Sequence, residues 1–258
     1  MAVWAVGDLH GMIGPLQEME TRLAWAAGRD RVILLGDLVG RGRSGLAVLR
    51  WAYARRDWVT TLLGNHDVAL LMQHCGLLPV AAANRPILAA ADAGELIAWL
   101  RGRPLLVEEG DWLLVHAGIL PAWSRSRLRE HAAAVAAAFA GSNWRQALAA
   151  GWGNDQIADD PGAAAASQVQ LAVNALCRLR WCNRDGSICL PYRQTAANDR
   201  IAWYRLRQPD SAPVVCGHWS EHGLCLDRSL VMLDGGCVYR GVLAAWNLDE
   251  RRAFFVGS

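Results

Sequence analysis

Short apolar runs that stop at polar, glycine-containing loops recur along this chain, and they constrain its fold more than any other feature. Each of the five loops carries aspartate, asparagine or histidine, and the runs that precede them are 2–6, 31–35, 58–63, 112–115 and 213–216. Continuous apolar runs of this length are typical of strands that are buried on both faces. Segments with helical spacing lie between the first four runs, at 14–27, 44–56, 67–77 and 94–101. This alternation predicts an α/β fold with helices packed on a sheet.

The side chains in these loops predict a metal site. In α/β folds ligands bind at the carboxyl ends of the strands, so loops that are distant in sequence become neighbours in space. The loops supply oxygen and imidazole donors, namely Asp8, His10, Asp37, Asn65, His66, His116 and His218. This donor set favours manganese, iron, cobalt or zinc over calcium, which prefers oxygen alone. It exceeds the needs of one four-coordinate ion, whereas two ions about 3.5–4 Å apart that share a carboxylate would use it well.

Phosphate is the ligand that such a site suits best. A two-metal site clamps phosphate oxygens and lowers the pKa of a bound water. Arg41 follows Asp37 by four residues and could direct its guanidinium at the same oxygens. Each residue alone has a structural explanation, because an aspartate after a strand is often a helix N-cap. The five loops taken together therefore carry the prediction.

Composition places these motifs in one large globular domain. The chain has 258 residues, of which 53% are hydrophobic and 19% charged, and these values exclude intrinsic disorder. Residues 120–210 break the alternation of strand and helix. We therefore expect a single domain over 1–258, in which 120–210 form an insertion that covers the site. The segments 229–233, 241–246 and 252–256 are expected to be closing strands.

All the basic residues are arginines. The chain has 26 basic and 24 acidic residues and no lysine, which gives a formal net charge of +2. This balance excludes a polycation that coats nucleic acid through bulk charge. It is compatible with a local arginine cluster directed at phosphate, since the planar guanidinium matches phosphate geometry.

Targeting signals and a disulfide framework are not expected. The first residues show no pattern of a signal peptide, and the apolar runs are too short to cross a membrane. The seven cysteines are scattered and odd in number, which fits reduced thiols. These features predict a cytoplasmic protein that does not bind membranes, and they leave its oligomeric state open.

Three of the loops resemble the signature of the metallophosphoesterases of the phosphoprotein phosphatase type; they are 7–11 (GDLHG), 36–42 (GDLVGRG) and 64–67 (GNHD). Within that superfamily the chain is similar to the symmetrical bis(5'-nucleosyl)-tetraphosphatases. The narrower resemblance depends on 114–119 (LVHAGI), 174–175 (NA) with 178–182 (RLRWC), 217–219 (GHW) and 233–237 (LDGGC). It covers essentially the whole chain. It implies a four-layer α/β/β/α sandwich, which the alternation of elements alone does not supply.

The resemblance also implies a reaction and a role for each residue. The reaction is metal-dependent hydrolysis of diadenosine tetraphosphate, and of related dinucleoside polyphosphates, to two ADP by a hydroxide held between two metal ions. The family pattern assigns one ion to Asp8, His10 and Asp37, and the second to Asp37, Asn65, His116 and His218. It makes His66 the general acid and Arg41 a phosphate ligand. Manganese is the expected metal, with cobalt, iron and zinc as alternatives.

Arginines of the insertion are expected to hold the remaining phosphates. A tetraphosphate carries about four negative charges, so several guanidinium groups suit it. Arg178 and Arg180 are the first candidates, followed by Arg184 and Arg193. At helical spacing Arg178 and Arg180 should not share a face.

Two positions depart from the family pattern. The wider phosphatases carry an aspartate that orients the catalytic histidine where this chain has Gly40, and a small or amide residue there is usual in the tetraphosphatases. Asp67 is adjacent to His66 in sequence, so it is a candidate for that orienting role. The second departure is Arg43, where the family commonly has proline; it adds a guanidinium beside the site or a surface charge.

Three other functions stay open at this point. A protein serine/threonine phosphatase shares the same metal site, and removal of dinucleotide-type caps from RNA 5' ends uses the same chemistry. A non-catalytic metal-binding scaffold is the third. Gly40 and the C-terminal motifs favour the nucleotide enzyme over the protein phosphatase. A scaffold has no need for His66 and Arg41 beside the metal ligands.

Overall fold

Two stacked sheets form the centre of the molecule. The computed structural model describes residues 1–155, 157, 159–160, 162–190, 199–208 and 210–258. Within these ranges the first sheet has the order β12 (Arg252–Gly257), β11 (Val242–Asn247), β1 (Ala2–Val6), β2 (Asp30–Leu34) and β3 (Val59–Thr61). Strands β1, β2 and β3 are parallel, and β11 and β12 extend the sheet in antiparallel order. The carboxyl ends of β1, β2 and β3 therefore meet at one edge, as predicted.

The second sheet supplies the remaining two predicted loops. In the described residues its order is β4 (Leu106–Glu109), β5 (Trp112–Val115), β8 (Val214–Cys216), β10 (Leu230–Met232) and β9 (Cys225–Leu226). Strands β5, β8 and β10 are parallel, and β4 and β9 pair with them as antiparallel edges. The apolar runs at 112–115 and 213–216 thus belong to a different sheet from the first three runs.

Helices connect and cover these strands. Those of the first half are α1 (Ile13–Leu23), α2 (Gly45–Ala54), α3 (Asn65–His74), α4 (Arg85–Leu88) and α5 (Ala93–Arg101). Helix α1 shows why such segments are helical, since Leu16 and Met19 lie on one face and are fully buried. Helix α3 begins one residue after Gly64, so Asn65 and His66 stand in its first turn beside the end of β3.

The two sheets face each other across a shared core. One cluster of buried side chains joins Ile33 of the first sheet to Leu114 and other residues of the second, and the rings of Trp112 and Trp246 meet with centroids 6.4 Å apart. Side chains on the outer faces of the same strands pack in a second cluster with the helices. The predicted α/β class and the four-layer α/β/β/α arrangement are confirmed. The expectation of one sheet, drawn from the alternation alone, was incomplete.

The segment 120–210 is largely helical where it is described. It contains α6 (Arg125–Ala140), α7 (Trp144–Gly151), α8 (Ala165–Arg178) and a two-stranded ribbon of β6 (Trp181–Cys182) and β7 (Ile201–Ala202). The three helices pack against one another. That this segment is an insertion covering the site stays a prediction. All seven cysteines lie in the described ranges and are free thiols, and no described helix has the length and apolar character to cross a membrane.

Candidate metal centre and active site

Asp37 lies between two groups of imidazole rings at the end of β2. Its Oδ2 atom is 3.6 Å from Nε2 of His10, and its Oδ1 atom is 3.6 Å from Nε2 of His116. Nε2 of His116 is also 3.3 Å from Oδ1 of Asn65. Each oxygen of one carboxylate thus faces a different set of donors. The donor atoms within 4.8 Å of one another form two overlapping groups: His10, Asp37 and His66, and Asp37, His116 and His218.

A backbone carbonyl orients the ring of each buried histidine in the site. One ring nitrogen hydrogen-bonds to that carbonyl, and the pairs are His10 with Val39 at 3.1 Å, His116 with Leu35 at 2.9 Å, and His218 with Arg178. Histidines that bind metals use one ring nitrogen in this way, because the bond fixes the tautomer and leaves the other nitrogen as a ligand. The Nε2 atoms of His10 and His116 face the Asp37 carboxylate. These rings are therefore preorganised as ligands of a cation.

Asp8 completes the donor set from the end of β1. Its carboxylate accepts hydrogen bonds from the backbone N–H of His218, at 3.0 and 3.2 Å for its two oxygens. Its Oδ2 atom is 3.9 Å from Nε2 of His10. All six predicted metal ligands are thus brought together, and His66 lies in the group of His10 and Asp37.

Buried carboxyl groups lie close together in the site and repel one another when they are ionised. Burial raises the pKa of Asp8 well above its usual value, and Asp234 and Asp37 raise it further by repulsion. Burial and the repulsion of Asp67 do the same to the pKa of Asp37. Burial also lowers the pKa of His116 to about 3, so its ring stays neutral. Neutral imidazoles and repelling carboxylates are the charge pattern that a divalent cation relieves, so these residues fit the metal ions that the motifs predict.

Three of the site residues have a backbone conformation that is costly for side chains. His10, Asp37 and His218 have φ angles of +45°, +50° and +68°, and they are half of the six non-glycine residues with positive φ in the described chain. Such conformations cost about 1–3 kcal/mol each and persist where the surrounding structure imposes them. The fold therefore holds these three donors in place at a cost in backbone conformational energy.

His66 stands beside the donors with its ring at the cavity. Its backbone N–H donates to Oδ1 of Asp37 at 2.7 Å, and its ring meets that of His10 edge to face with centroids 4.8 Å apart. The backbone of Gly40 packs on the ring, since a Cβ at this position would lie 2.7 Å from Cγ and 2.8 Å from Cβ of His66. Burial, followed by the charges of His10 and Arg41, lowers the pKa of His66 to about 3. An anionic ligand bound in the cavity would raise the pKa of His66, because negative charge stabilises the protonated ring.

The structure gives Asp67 a different role from the one expected. Its carboxylate accepts hydrogen bonds from the backbone N–H of Gly64 at 2.9 Å and of Leu38 at 3.0 Å, and it is fully buried. Burial raises its pKa to about 7. Asp67 therefore ties the start of α3 to the loop after β2, and we do not retain its assignment as the group that orients His66. The side chains of His66 and Asp67 point in different directions because adjacent residues lie on different faces of the first turn of α3.

A cavity of about 580 Å³ opens above the donor atoms. Arg41 and Arg180, both predicted to bind phosphate, line it, and Nη2 of Arg180 donates to the backbone carbonyl of His218 at 3.1 Å. Sequence reasoning missed several further lining residues, among them Asp234, Tyr239 and Arg240. These three lie within or just after the 233–237 motif, which was the available signal.

Arg178 does not line this cavity. Its guanidinium donates to the carbonyl of Gly153 at 2.7 Å and to the side chain of Asn154 at 2.7 Å, and it lies 4.6 Å from the ring centroid of Trp152. It therefore holds the loop after α7, which corrects its assignment as a phosphate ligand. The reason is that α8 ends at Arg178, so Arg180 lies beyond the helix, just before β6.

The two weaker arginine candidates of the insertion are not placed at the cavity either. Arg184 is exposed and is not among the described residues that line it. Arg193 lies outside the described residues. Arg180 is therefore the candidate from the insertion that the structure brings to the site.

Comparison with known sequences places this site in a family context. The calcineurin-like phosphoesterase profile matches residues 1–159. A symmetrical bis(5'-nucleosyl)-tetraphosphatase of Chromobacterium violaceum is 34% identical over 98% of this chain and 94% of its own length. The protein of the same name from Dechloromonas aromatica is 36% identical over 99% of this chain and 96% of its own length.

Solved structures share the fold. That of a candidate diadenosine tetraphosphatase superposes with a TM-score of 0.69 at 19% identity, and the match covers 100% of this chain and 93% of the other. A cold-active protein-tyrosine phosphatase of a psychrophilic Shewanella species superposes with a TM-score of 0.61 at 18% identity. The match covers 98% of this chain and 80% of the other. At these identities the likeness concerns architecture alone.

Proposed function

Because the chain belongs to the calcineurin-like phosphoesterases, and among them to the symmetrical bis(5'-nucleosyl)-tetraphosphatase family, we propose that it hydrolyses diadenosine tetraphosphate to two ADP. Related dinucleoside polyphosphates are included in the proposal. The observation that carries it is the position of Asp37, whose two carboxylate oxygens face separate imidazole groups below a cavity lined by Arg41 and Arg180. This arrangement suits a polyphosphate that must be held and cut at a pair of metal ions.

The donor set fits two divalent cations. Asp8, His10 and Asp37 would hold one of them; the second would be held by Asp37, Asn65, His116 and His218. Manganese is the metal we propose, since the ligands are oxygen and imidazole without thiolate. Such ions supply positive charge for the phosphoryl oxygens and lower the pKa of a bound water.

The chain's own residues then divide the remaining work. Arg41 holds phosphoryl oxygens through its planar fork, and Arg180 is placed to hold the phosphates further along the cavity. His66 donates a proton to the oxygen that leaves with ADP. The contact with Gly40 keeps its ring in place for that transfer. In this proposal the segment 120–210 covers the site through Arg180.

Product analysis tests the proposed reaction. The manganese-loaded protein is incubated with diadenosine tetraphosphate, and the nucleotides are identified by chromatography. ADP as the sole product supports symmetrical cleavage, whereas AMP with ATP contradicts it. Release of phosphate from a phosphopeptide without nucleotide turnover would favour a protein phosphatase, and metal binding without any turnover would favour a scaffold.

RNA whose 5' end carries a dinucleotide-type cap contains the same phosphoanhydride bond, so we include it as a second substrate in the same assay. Cleavage of the free dinucleotide alone would restrict the proposal to small molecules. Cleavage of both would extend it to RNA ends.

Replacing His66 by alanine tests the proton transfer. General acid catalysis contributes about 10²–10⁴-fold to rate, so turnover of diadenosine tetraphosphate should fall by that factor. Metal content, measured by elemental analysis, should stay at the wild-type value. His74→Ala, at the far exposed end of α3, is the matched control and should leave both values unchanged. Unchanged turnover in His66→Ala, or the loss of a bound ion, would contradict the role of an acid.

A further inference from the structure

Tyr239 is an exposed aromatic side chain at the wall of the catalytic cavity. Its exposed fraction is 54%, and it is the one phenol or indole ring among the described residues that line the cavity. An exposed ring at the wall of a cavity offers a flat apolar face and a polar hydroxyl to a bound ligand. The remaining lining is polar, imidazole or glycine. The function proposed above does not use this ring.

The backbone around Tyr239 holds it in one place. It ends a short 3-10 turn, Cys237–Tyr239, and its N–H donates to the carbonyl of Gly236 at 2.8 Å. The N–H of Gly241 donates to the same carbonyl at 3.0 Å, and a Cβ at Gly241 would lie 2.9 Å from it. Arg240, between them, is held in the left-handed region at φ +68°. The main chain that carries the ring therefore has little freedom left to lose when a ligand binds.

Arg41 links this ring to the phosphate end of the cavity. Its guanidinium carbon lies 5.4 Å from the ring centroid of Tyr239, within the range of a cation–π contact. Arg41 lines the same cavity as the metal ligands Asp37 and His10. One arginine thus lies between the metal ligands and the aromatic ring. A nucleotide whose phosphates bind Arg41 would bring its base towards Tyr239.

A second group of aromatic rings near the cavity is a poorer candidate for base binding because its members cover each other. Trp219 is 5% exposed and packs on Trp181 with centroids 4.9 Å apart. The guanidinium of Arg200 lies 4.9 Å from the ring centroid of Trp181. Tyr204 is hydrogen-bonded through its hydroxyl to His222 at 2.9 Å. These rings are largely occupied by one another.

We propose that Tyr239 is the platform on which a nucleobase of the substrate stacks, so that the cavity reads a nucleotide and not a bare polyphosphate. The inference rests on the proposed function, because that function supplies the adenine ring. Stacking on an aromatic side chain is sequence-tolerant, and it favours large planar bases. Tyr239 is a specificity-determining residue in this scheme, and the metal ligands and Arg41 hold the phosphates.

Direct binding measurements separate the base from the phosphates. Calorimetry with the manganese-loaded protein gives the Kd of ADP and of inorganic pyrophosphate for wild type, Tyr239→Leu and Tyr239→Phe. Leucine keeps apolar volume and removes the π face, whereas phenylalanine keeps that face. Phe255→Leu, an exposed aromatic on β12, is the control for a general effect of losing a surface ring.

Tyr239→Leu should weaken ADP binding about fivefold or more, because it removes the stacking of one base on an aromatic side chain. Pyrophosphate binding should change less than twofold, and Tyr239→Phe should bind ADP as wild type does. Equal losses for ADP and pyrophosphate, or no loss for ADP, would overturn the inference. Since binding is read without turnover, a selective loss for ADP supports the platform even if diadenosine tetraphosphate is not hydrolysed. If Tyr239→Leu hydrolyses diadenosine tetraphosphate normally and binds ADP as wild type does, the stacking role of Tyr239 is refuted and the proposed hydrolysis stands.

Discussion

At position 40 the backbone runs so close to the imidazole of His66 that a methyl group has no room. Gly40 has a φ of +116°, and a Cβ there would overlap the ring atoms of His66. The ring is therefore held by main-chain contact on this side. This offers a physical reason for glycine at this position, and it does not require a carboxylate to orient the histidine.

Replacing Gly40 by alanine should reduce turnover of diadenosine tetraphosphate about 10–100-fold, because the added methyl group displaces the ring of His66. Bound metal should stay constant. Stability should fall by about 1–2 kcal/mol from the positive φ alone. Gly28→Ala is the matched control, because Gly28 has a φ of +80° and nothing within 4 Å of an added Cβ. It should show the stability loss without the loss of turnover, and equal turnover in the two variants would contradict the steric argument.

Residue types were easier to predict than side-chain directions. Asp37 and His116 could be recognised because each follows an apolar run, and strand ends collect ligands whatever the details of packing. Asp67 and Arg178 were misplaced because their directions depend on nearby backbone groups, an N–H donor for Asp67 and a carbonyl acceptor for Arg178. Tyr239 carried no signal of its own, since exposure is a property of the folded surface.

At the scale of elements, the order of strands and helices was readable but their partners were not. The runs that became β1, β2 and β5 look alike in sequence, yet β5 pairs with β8 in the second sheet. Contacts with distant residues decide which strand a buried apolar run pairs with. The hydrophobic periodicity of the run contains no information about these contacts. The second sheet was therefore supplied by the family resemblance and confirmed by the structure.

Asp159 holds the start of α6 through several donors. The indole N–H of Trp123 donates to it at 2.8 Å and Nη2 of Arg127 at 2.7 Å, while Nε2 of His131 lies at 3.2 Å. Burial acts to raise the pKa of this carboxyl, and the bonds from Arg127 and Trp123 outweigh it and hold the pKa below its usual value. The ionised form is thus the one that the folded chain prefers.

A depressed pKa in the folded state stabilises the protein above the ordinary pKa and ceases to do so as pH falls through the folded value. Asp159→Asn should therefore lower the free energy of unfolding by about 1 kcal/mol at pH 7. The difference from wild type should shrink once pH falls below about 4. Urea unfolding at several pH values measures this difference in the free energy of unfolding. Asp57→Asn, at an exposed position, is the control. A constant difference across this pH range would show that the charge of Asp159 is not responsible.

At the scale of the whole molecule, the candidate metal site depends on contacts that span nearly the full chain. The bond from the His218 backbone to Asp8 joins positions 210 residues apart, and the loops of both sheets meet around it. Four carboxylates are buried here, those of Asp8, Asp37, Asp67 and Asp234. In the absence of metal ions, folding must bring these four carboxylates together against their mutual repulsion.

Divalent cations should therefore stabilise the folded chain, and their removal should lower its melting temperature. A ligand present at about 100 times its Kd adds about 2.7 kcal/mol, which corresponds to roughly 5–10 °C for a chain of this size. Calorimetric scans of chelated and manganese-reloaded protein measure the shift. In Asp37→Asn the shift should be largely lost, because the carboxylate facing both imidazole groups is gone. If wild type melts at one temperature with and without metal, the folded chain does not bind the ions and the two-metal assignment fails. If Asp37→Asn retains the full shift, the ions are bound elsewhere and the assignment fails as well.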